Sequence, residues 1–447
     1  MTVSPRAISF GTLAAYGVPV FAVASLFFFV QFYFLKFATD VLLLPPAVVS
    51  ALFAAAKVWD GVNGPLIGSW SDRSRSRFGR RRPFMLGALP FLALGFWMLW
   101  SAPGALAGTS LVLWIGVALF VFFTAFDLYT LPHMALGAEL SADSHQRARL
   151  FAGRQMSFTI GILLAFAAIQ RAMNAPDPRR MAADLAVPAA VASALLLAIP
   201  PLWLREPRVG AVAGGRGIVP AFRDVLSTRA ARLLLLVWLV ESAGLGAVGT
   251  MGPYVSQYVL RRPDMVGALS GAYVVAGVLS IPLWVRASRS AGKRDTWLAA
   301  MGLAAIAFGG LLSVGPGDVR LAVALLAVAG CATGCGGVMS NALLADVIDA
   351  DERRTGERKE GVYSAAMTLV LKLGTSIATA ASGVVLTAAG FAPNVEQSAA
   401  SLAGIRFLFA GLPFLGFVLG VLVFRNFRLD GAGRETSTAA LRTPSAS

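Results

Sequence analysis

The amino-acid sequence predicts an all-α membrane protein of twelve spanning helices, arranged as two pseudo-symmetric bundles of six. Three observations predict it. The 447-residue chain is 57% hydrophobic and only 14% charged, against about 25% charged in a soluble domain, and its mean hydropathy is +0.71. Its apolar runs, such as 17–34 and 110–126, approach the roughly 20 residues that a helix needs to cross a hydrocarbon core. Lipid offers no partner to a backbone amide, so only helices or closed barrels span it, and these runs lack the alternation of a barrel strand.

Taken in order, the apolar segments place six spans near 11–38, 45–71, 83–102, 109–138, 150–171 and 183–204, and six more near 230–259, 264–286, 295–314, 319–346, 361–389 and 401–425. Residues 1–204 then form an N-terminal bundle and 230–427 a C-terminal one. The polar stretch 205–229, with Gly210, Gly214, Gly215 and Gly217, reads as a linker, and the Ser/Thr/Ala-rich tail 428–447 as disordered. No small-residue cleavage pattern follows the basic start at Arg6, so the first span is expected to stay in the membrane.

A net charge of +15 would suggest nucleic acid as the partner of a soluble protein. Here the excess is arginine placed between apolar runs, which the positive-inside rule and anionic headgroups explain, so the expected partners are the bilayer and a small molecule and not nucleic acid. Arg73, Arg75, Arg77, Arg80, Arg81 and Arg82 follow the second span, and Arg147 and Arg149 the fourth, whereas 101–110 has no Arg or Lys. Both termini are therefore expected in the cytoplasm, at a plasma (inner) membrane. The loops holding Arg179, Arg180, Arg261 and Arg262 are exceptions to the bias. Cys331 and Cys335, four apart with no histidine nearby, read as packing residues. Two histidines in the whole chain, and no Ser/His/Asp, HExxH or phosphate-loop pattern, argue against an enzyme, and no cofactor is expected.

An internal echo supports equivalent halves: Ala135-Leu-Gly-Ala-Glu139 closes the fourth span and Ala342-Leu-Leu-Ala-Asp346 the tenth, each before an acidic, Arg-rich loop. Such repeats accompany carriers in which two bundles rock about a midplane site. Charges inside the spans cost from about 2.5 to over 10 kcal/mol at the bilayer centre, so those that remain point to function. Span two holds Lys57 and Asp60 on one helical face with Asn63 a turn further on, an arrangement of hard oxygens suited to an alkali cation or a carboxylate suited to a proton. Asp60 could equally neutralise Lys57. Span four brings Asp127 and His133 around Pro132, span five begins with Arg154, span seven carries Glu241 and span eleven Lys372. Asp72, Arg73, Glu139, Asp346, Asp349 and Glu352 lie at the cytoplasmic rim, where weak ion pairs suit a gate that must open.

Several segments are specific enough to name a family. Lys57-Val-Trp-Asp60-Gly-Val-Asn63-Gly64-Pro65, Gly68, Asp72-Arg73 and Ser76-Arg77-Phe-Gly79-Arg80-Arg-Arg82-Pro83 resemble the glycoside-pentoside-hexuronide:cation symporters of the major facilitator superfamily, the melibiose-carrier family. So do Pro132-His-Met-Ala-Leu-Gly-Ala-Glu139, Asp346-Val-Ile-Asp349 with Thr355-Gly356 and Glu360-Gly361, and Phe391-Ala-Pro-Asn-Val-Glu-Gln-Ser398. The resemblance implies a major facilitator fold, cation-coupled sugar uptake by alternating access, and a monomer.

In that family two aspartates and an asparagine on span two, a threonine on span four and a threonine on span eleven hold the cation. Asp60 and Asn63 match the first aspartate and the asparagine, and Thr368 matches the span-eleven threonine, one turn before Lys372. Gly64 stands where the second aspartate would be, and Asp127 where the span-four threonine would be. The expectation is that the missing carboxylate has moved from span two to span four, leaving a site for Na+ or H+ at Asp60, Asn63, Asp127 and Thr368. A single acid at Asp60 would instead suit a proton-driven or uncoupled carrier.

The family's galactoside-binding acids and tryptophan correspond to Ala24, Thr130 and Met134, and only Arg154 matches. Thr130, His133, Met134, Arg154 and Lys372 are thus the expected substrate positions, with Gln31, Tyr33 and Tyr129 as further polar contacts, for a solute other than a galactoside. Lipid carriers of the same branch share the span-two signature, so an amphiphile such as a lysophospholipid is the rival substrate. The same fold would also serve an export antiporter or a transport-dead sensor.

Overall fold

A computed structural model describes residues 8–427 apart from 75, 142, 205, 207–222, 224 and 358. The expected linker lies largely outside the described residues, and the expected tail wholly so. The described chain is helical throughout its regular structure, and ten of its helices are long and apolar enough to cross a membrane. They are α1 (Phe10–Asp40), α3 (Arg82–Trp100), α4 (Gly108–Glu139), α5 (Ser144–Met173), α6 (Pro178–Trp203), α7 (Arg229–Val259), α8 (Val266–Ala291), α10 (Val319–Thr355), α11 (Glu360–Ala388) and α12 (Ala399–Phe424). Two more, α2 (Pro46–Arg73) and α9 (Lys293–Leu311), stand in the expected order between them. Length and apolarity alone thus account for ten of the twelve expected spans. The other two fall short for reasons of composition: α2 carries Lys57 and Asp60 at its centre and ends in Asp72 and Arg73, and α9 opens on Lys293-Arg294-Asp295.

Local chemistry sets the helix ends. Asp143 and Asp177 accept the amides of His145 and Arg180 at 2.8 and 2.9 Å and so start α5 and α6, and Ser398 accepts from Ser401 at 3.1 Å to start α12. Gly356, at φ +72°, stops α10 in the left-handed conformation that a side chain resists. Because polar turns continue beyond the apolar core, α10 runs to Thr355 where the expected span ended at 346. Pro19 interrupts α1 between Gly17 and Val20. A π-turn over Val255–Val259 follows Pro253 in α7, and another occupies Phe407–Gly411 in α12.

In the N-terminal bundle α3 packs on α4 and α6, α1 on α5, and α2 on α4; in the C-terminal bundle α10 packs on α8 and α9, and α12 on α7 and α9. The bundles meet along α1/α7, α2/α11 and α5/α8. Exchanging first-half helices for their second-half equivalents turns α2/α11 into α8/α5, so this seam has the two-fold pattern of a parallel repeat. Close approach in the seam depends on glycine. A Cβ at Gly383 of α11 would fall 1.6 Å from Ser50 Oγ of α2, and one at Gly249 of α7 would fall 2.0 Å from the Phe32 ring of α1.

Candidate functional site

The expected cation residues converge where α2, α4 and α11 meet. Lys372 of α11 crosses the seam: its Nζ lies 3.1 Å from Asp60 Oδ2, 3.3 Å from Asp127 Oδ2 and 2.9 Å from the Asp60 carbonyl oxygen. Both carboxylates are buried. The ammonium thus occupies the place between two acids where a free cation would sit. Asp60 Oδ1 and Asn63 Nδ2 are buried beside it without a hydrogen-bond partner. Gly64 faces the same point: a Cβ there would lie 3.7 Å from Asp127 Oδ2 and 4.0 Å from Lys372 Nζ. An acid at position 64 and one at position 127 therefore project into one space from two helices.

Lys57 departs from the pairing with Asp60 that helical spacing allowed. Its buried Nζ stands over the rings of Phe123 at 4.2 Å and Phe27 at 4.5 Å, an attraction of about 2 kcal/mol or more when desolvated. Asp60 is thereby left to Lys372. Thr368 lies one turn before Lys372 but is exposed, and its hydroxyl donates to the Ser364 carbonyl at 3.0 Å.

The expected substrate residues divide. His133 departs most from expectation. It is 2% exposed, stacked on Tyr16 at 4.4 Å and on Tyr129 at 5.7 Å, with Nε2 3.1 Å from the Tyr16 carbonyl oxygen, so its ring is closed into the packing of α1 and α4. Thr130 donates back to the Phe126 carbonyl at 2.9 Å. Tyr129 donates to the Leu197 carbonyl at 3.0 Å and Tyr33 stacks on Trp100, so both belong to the core. Met134 is exposed, Arg154 is half-buried with its Nε unpartnered, and Gln31 is buried with Oε1 unpartnered.

At the arginine-rich rim the ion pairs of Asp72, Glu139 and Asp346 stay within bundles. Glu139 accepts from Arg80 and Arg81 at 2.6 Å each, and Arg81 also reaches Asp72 at 3.2 Å. Asp346 pairs with Lys293 at 2.7 Å. The two acids of the internal echo thus act alike in each half: each ties the fourth helix of its bundle to the start of the third, Glu139 from the last residue of α4 and Asp346 from within α10, which runs on to Thr355. The gate expected from Asp72, Glu139 and Asp346 is not a contact between bundles here. Arg73 is exposed. Beside Asp349 and Glu352 on α10, the buried Asp351, absent from the expected set, pairs with Arg354 at 2.7 Å.

Besides the Lys372 bridge, polar contacts cross between the bundles at the opposite end of the helices, and of their residues only Asn394, in the segment Phe391–Ser398, was singled out in the sequence. Lys36 and Asp40, one turn apart at the end of α1, form a buried ion pair. Tyr258 of α7 donates to Asp40, the Thr39 and Tyr254 hydroxyls are 2.7 Å apart, and Asn394 Nδ2 donates to the Asp40 carbonyl at 2.7 Å. Lys36 Nζ also stands over the Tyr258 ring at 4.4 Å. The Thr387 hydroxyl accepts the Ala47 amide at 3.2 Å, joining α11 to α2. The i,i+4 spacing of Lys36 and Asp40 was the one signal available. It lies at the edge of an apolar run, where charge is unremarkable.

Comparison with known proteins agrees with this architecture. The profile of the MFS/sugar transport protein family matches residues 15–431. Relatives include the isoprimeverose transporter of Lactiplantibacillus pentosus, 24% identical over 93% of this chain and 88% of that protein. The sphingosine-1-phosphate transporter MFSD2B of Xenopus tropicalis is 25% identical over 93% of this chain and 86% of that protein. Among solved structures, a bacterial homologue of the human lysosomal transporter Spinster, inward-facing and unoccupied, superposes with a TM-score of 0.70 at 13% identity, covering 94% of this chain and 98% of that one. With two bundles joined by a buried lysine bridge, and a profile match running from α1 to α12, the chain is an integral membrane transporter that belongs to the MFS/sugar transport protein family, the glycoside-pentoside-hexuronide symporter branch of the major facilitator superfamily.

Proposed function

We propose that this transporter is a secondary symporter, carrying a sugar or glycoside-like solute together with Na+ or H+ by alternating access in the plasma membrane, with both termini in the cytoplasm. The observation that carries this reading is the Lys372 bridge to Asp60 and Asp127 across the seam. A coupling ion entering between the acids competes with the ammonium. Its binding frees Lys372 from α2 and α4 and so alters how tightly the bundles hold at mid-depth. An ion moves such an equilibrium only by its difference in affinity for the two states, and a site built across a moving seam supplies that difference. Breaking the lysine bridge is thus coupled to reorientation, while the contacts around Asp40 keep the far end shut until the bundles rock. The test is uptake into proteoliposomes of labelled pentosides and hexosides under an imposed Na+ or pH gradient. Accumulation that collapses with the gradient supports symport, and extrusion under the same gradient replaces it with antiport.

One observation favours a second reading, transport of an amphiphile. A cavity of about 230 Å³ between the bundles is walled by Phe28, Phe32, Phe166, Val248, Leu269 and Leu326, with Ser270 and Tyr273 as its polar lining residues. A sugar ring needs several oriented acceptors, whereas an acyl chain needs none. A thermal-shift comparison of sugars, glycosides and lysolipids, with and without sodium at two pH values, separates the readings. Stabilisation by lysolipids alone overturns the sugar assignment.

A further inference from the structure

Glu241 stands in α7, about 18 Å along the helix from its first residue at 1.5 Å per residue, and is 8% exposed. The other buried acids among the described residues have cations: Asp40 has Lys36, Asp60 and Asp127 share Lys372, and Asp351 has Arg354. Glu241 has none. What faces it is uncharged. Trp297 comes from α9, Cys335 and Thr333 from α10, Tyr273 from α8 and Phe417 from α12, while Lys372 of α11 is engaged with the two aspartates. The indole Nε1 of Trp238 is buried without a partner, and the indole of Trp297 faces the Glu241 carboxyl as its one polar neighbour able to donate from α9.

These groups surround a cavity of about 130 Å³. That is room for several waters at about 30 Å³ each. A Cβ at Gly336 would lie 3.5 Å from Glu241 Oε2 and 3.3 Å from Trp297 Nε1, so the bare glycine keeps the carboxyl's surroundings open. Leu245 lines both this cavity and the larger one between the bundles. The carboxyl is therefore buried from lipid yet adjoins the space that alternating access exposes.

We propose that Glu241 is a proton-binding site of the C-terminal bundle, loaded and unloaded through the cavity it lines. A carboxylate without a cation in an apolar site neutralises by taking a proton. The proton comes from cavity water, adds to a carboxylate oxygen to give a neutral acid, and returns to water when the cavity is hydrated. The central cluster differs, because Lys372 already pairs with Asp60 and Asp127, and an ion entering there must displace its ammonium. Glu241 can accept positive charge without displacing anything. The proposal does not depend on which solute is carried, or on coupling at Asp60 and Asp127.

The experiment treats the full chain in lipid nanodiscs with dicyclohexylcarbodiimide, an apolar reagent to which a protonated carboxyl adds to give a stable N-acylurea. Peptide mass spectrometry then reads the modified positions from acidic to alkaline pH. The expected result is an adduct on Glu241 whose yield falls about tenfold per pH unit once the acid ionises, and which Asp127→Asn leaves unchanged. A pH-difference infrared spectrum should contain a carboxylic-acid carbonyl band that is missing from Glu241→Gln. No adduct at Glu241 at any pH, or the same yield at every pH, overturns the proposal. Protection by methylammonium at fixed pH would make this an organic-cation site and also overturns it. Loss of cation-driven uptake in Asp127→Asn with Glu241 labelling intact separates the fate of this proposal from that of the central cluster.

Discussion

Among the described residues, the Lys36–Asp40 pair and the Lys372–Asp60–Asp127 cluster are both buried lysine–carboxylate groupings, and they are built oppositely. Lys36 and Asp40 belong to one helix, four residues apart, so their ion pair survives whatever the bundles do, and the C-terminal bundle merely adds Tyr258, Tyr254 and Asn394 around it. Lys372, Asp60 and Asp127 come from three helices in two bundles, so that pairing exists only while α11 lies against α2 and α4. A pair contained in one helix presents a fixed polar surface. A pair shared across a seam reports the seam's geometry. The unpartnered Asp60 Oδ1 and Asn63 Nδ2 occur at the shared cluster, as expected of a site whose occupant changes.

The largest effect should come from removing the shared cation. Lys372→Ala leaves two buried acids without a counter-ion, a loss of about 3–5 kcal/mol in comparable buried pairs; the expected outcome is abolished gradient-driven uptake and a markedly lower Tm in nanodiscs. An unchanged Tm would mean that the bridge does not hold the seam. Next, Asp127→Asn should keep solute exchange but lose cation-driven accumulation by at least about tenfold, roughly 1.4 kcal/mol of coupling. Full cation-dependent uptake in that variant would refute the relocated carboxylate. Gly64→Asp in the Asp127→Thr background rebuilds the family arrangement from the other helix and should recover part of that loss; no recovery would separate positions 64 and 127 in function despite their proximity. A smaller change is expected from Tyr258→Phe, which removes one cross-bundle hydrogen bond worth about 1.5–3 kcal/mol to a charged acceptor. Spin-label distances across the α1/α7 end should then shift toward an open population. His133→Phe should change least: transport and its pH profile stay within about twofold, because the ring is packed and not presented.

The spans were legible because a lipid-facing helix must be apolar over a fixed length, and both α4 and α12 announce themselves that way. Even α2, less apolar than the others because of Lys57, Asp60, Asp72 and Arg73, was placed by its apolar segment at 45–71. The central cluster was legible for a different reason. Asp60, Asp127 and Lys372 are charges that lipid forbids, so each was suspect alone, and Gly64 hinted at their grouping. Which lysine serves Asp60 was not readable. Spacing offered Lys57, but Phe27 and Phe123 draw that ammonium away, and partners 312 residues apart leave no local trace. The far-end contacts were invisible for the same reason, since Thr39 and Tyr254 are ordinary helix residues until the fold juxtaposes them. His133 is the converse case. A polar type in an apolar run suggested a ligand contact, yet one carbonyl and two aromatic faces satisfy it.

The approach of Gly383 to Ser50 carries a consequence for how such a carrier is set. That part of the closed end is sealed by fit, with no charge at the contact. Counter-ions screen exposed charges over about 8–10 Å at ordinary ionic strengths but leave a contact of shape untouched. That contact should therefore be indifferent to salinity, and a single methyl group, Gly383→Ala, should act on it as a permanent wedge. Shape closes this part of the door, beside the hydrogen bonds around Asp40, and the lysine behind it is the part that answers to ions.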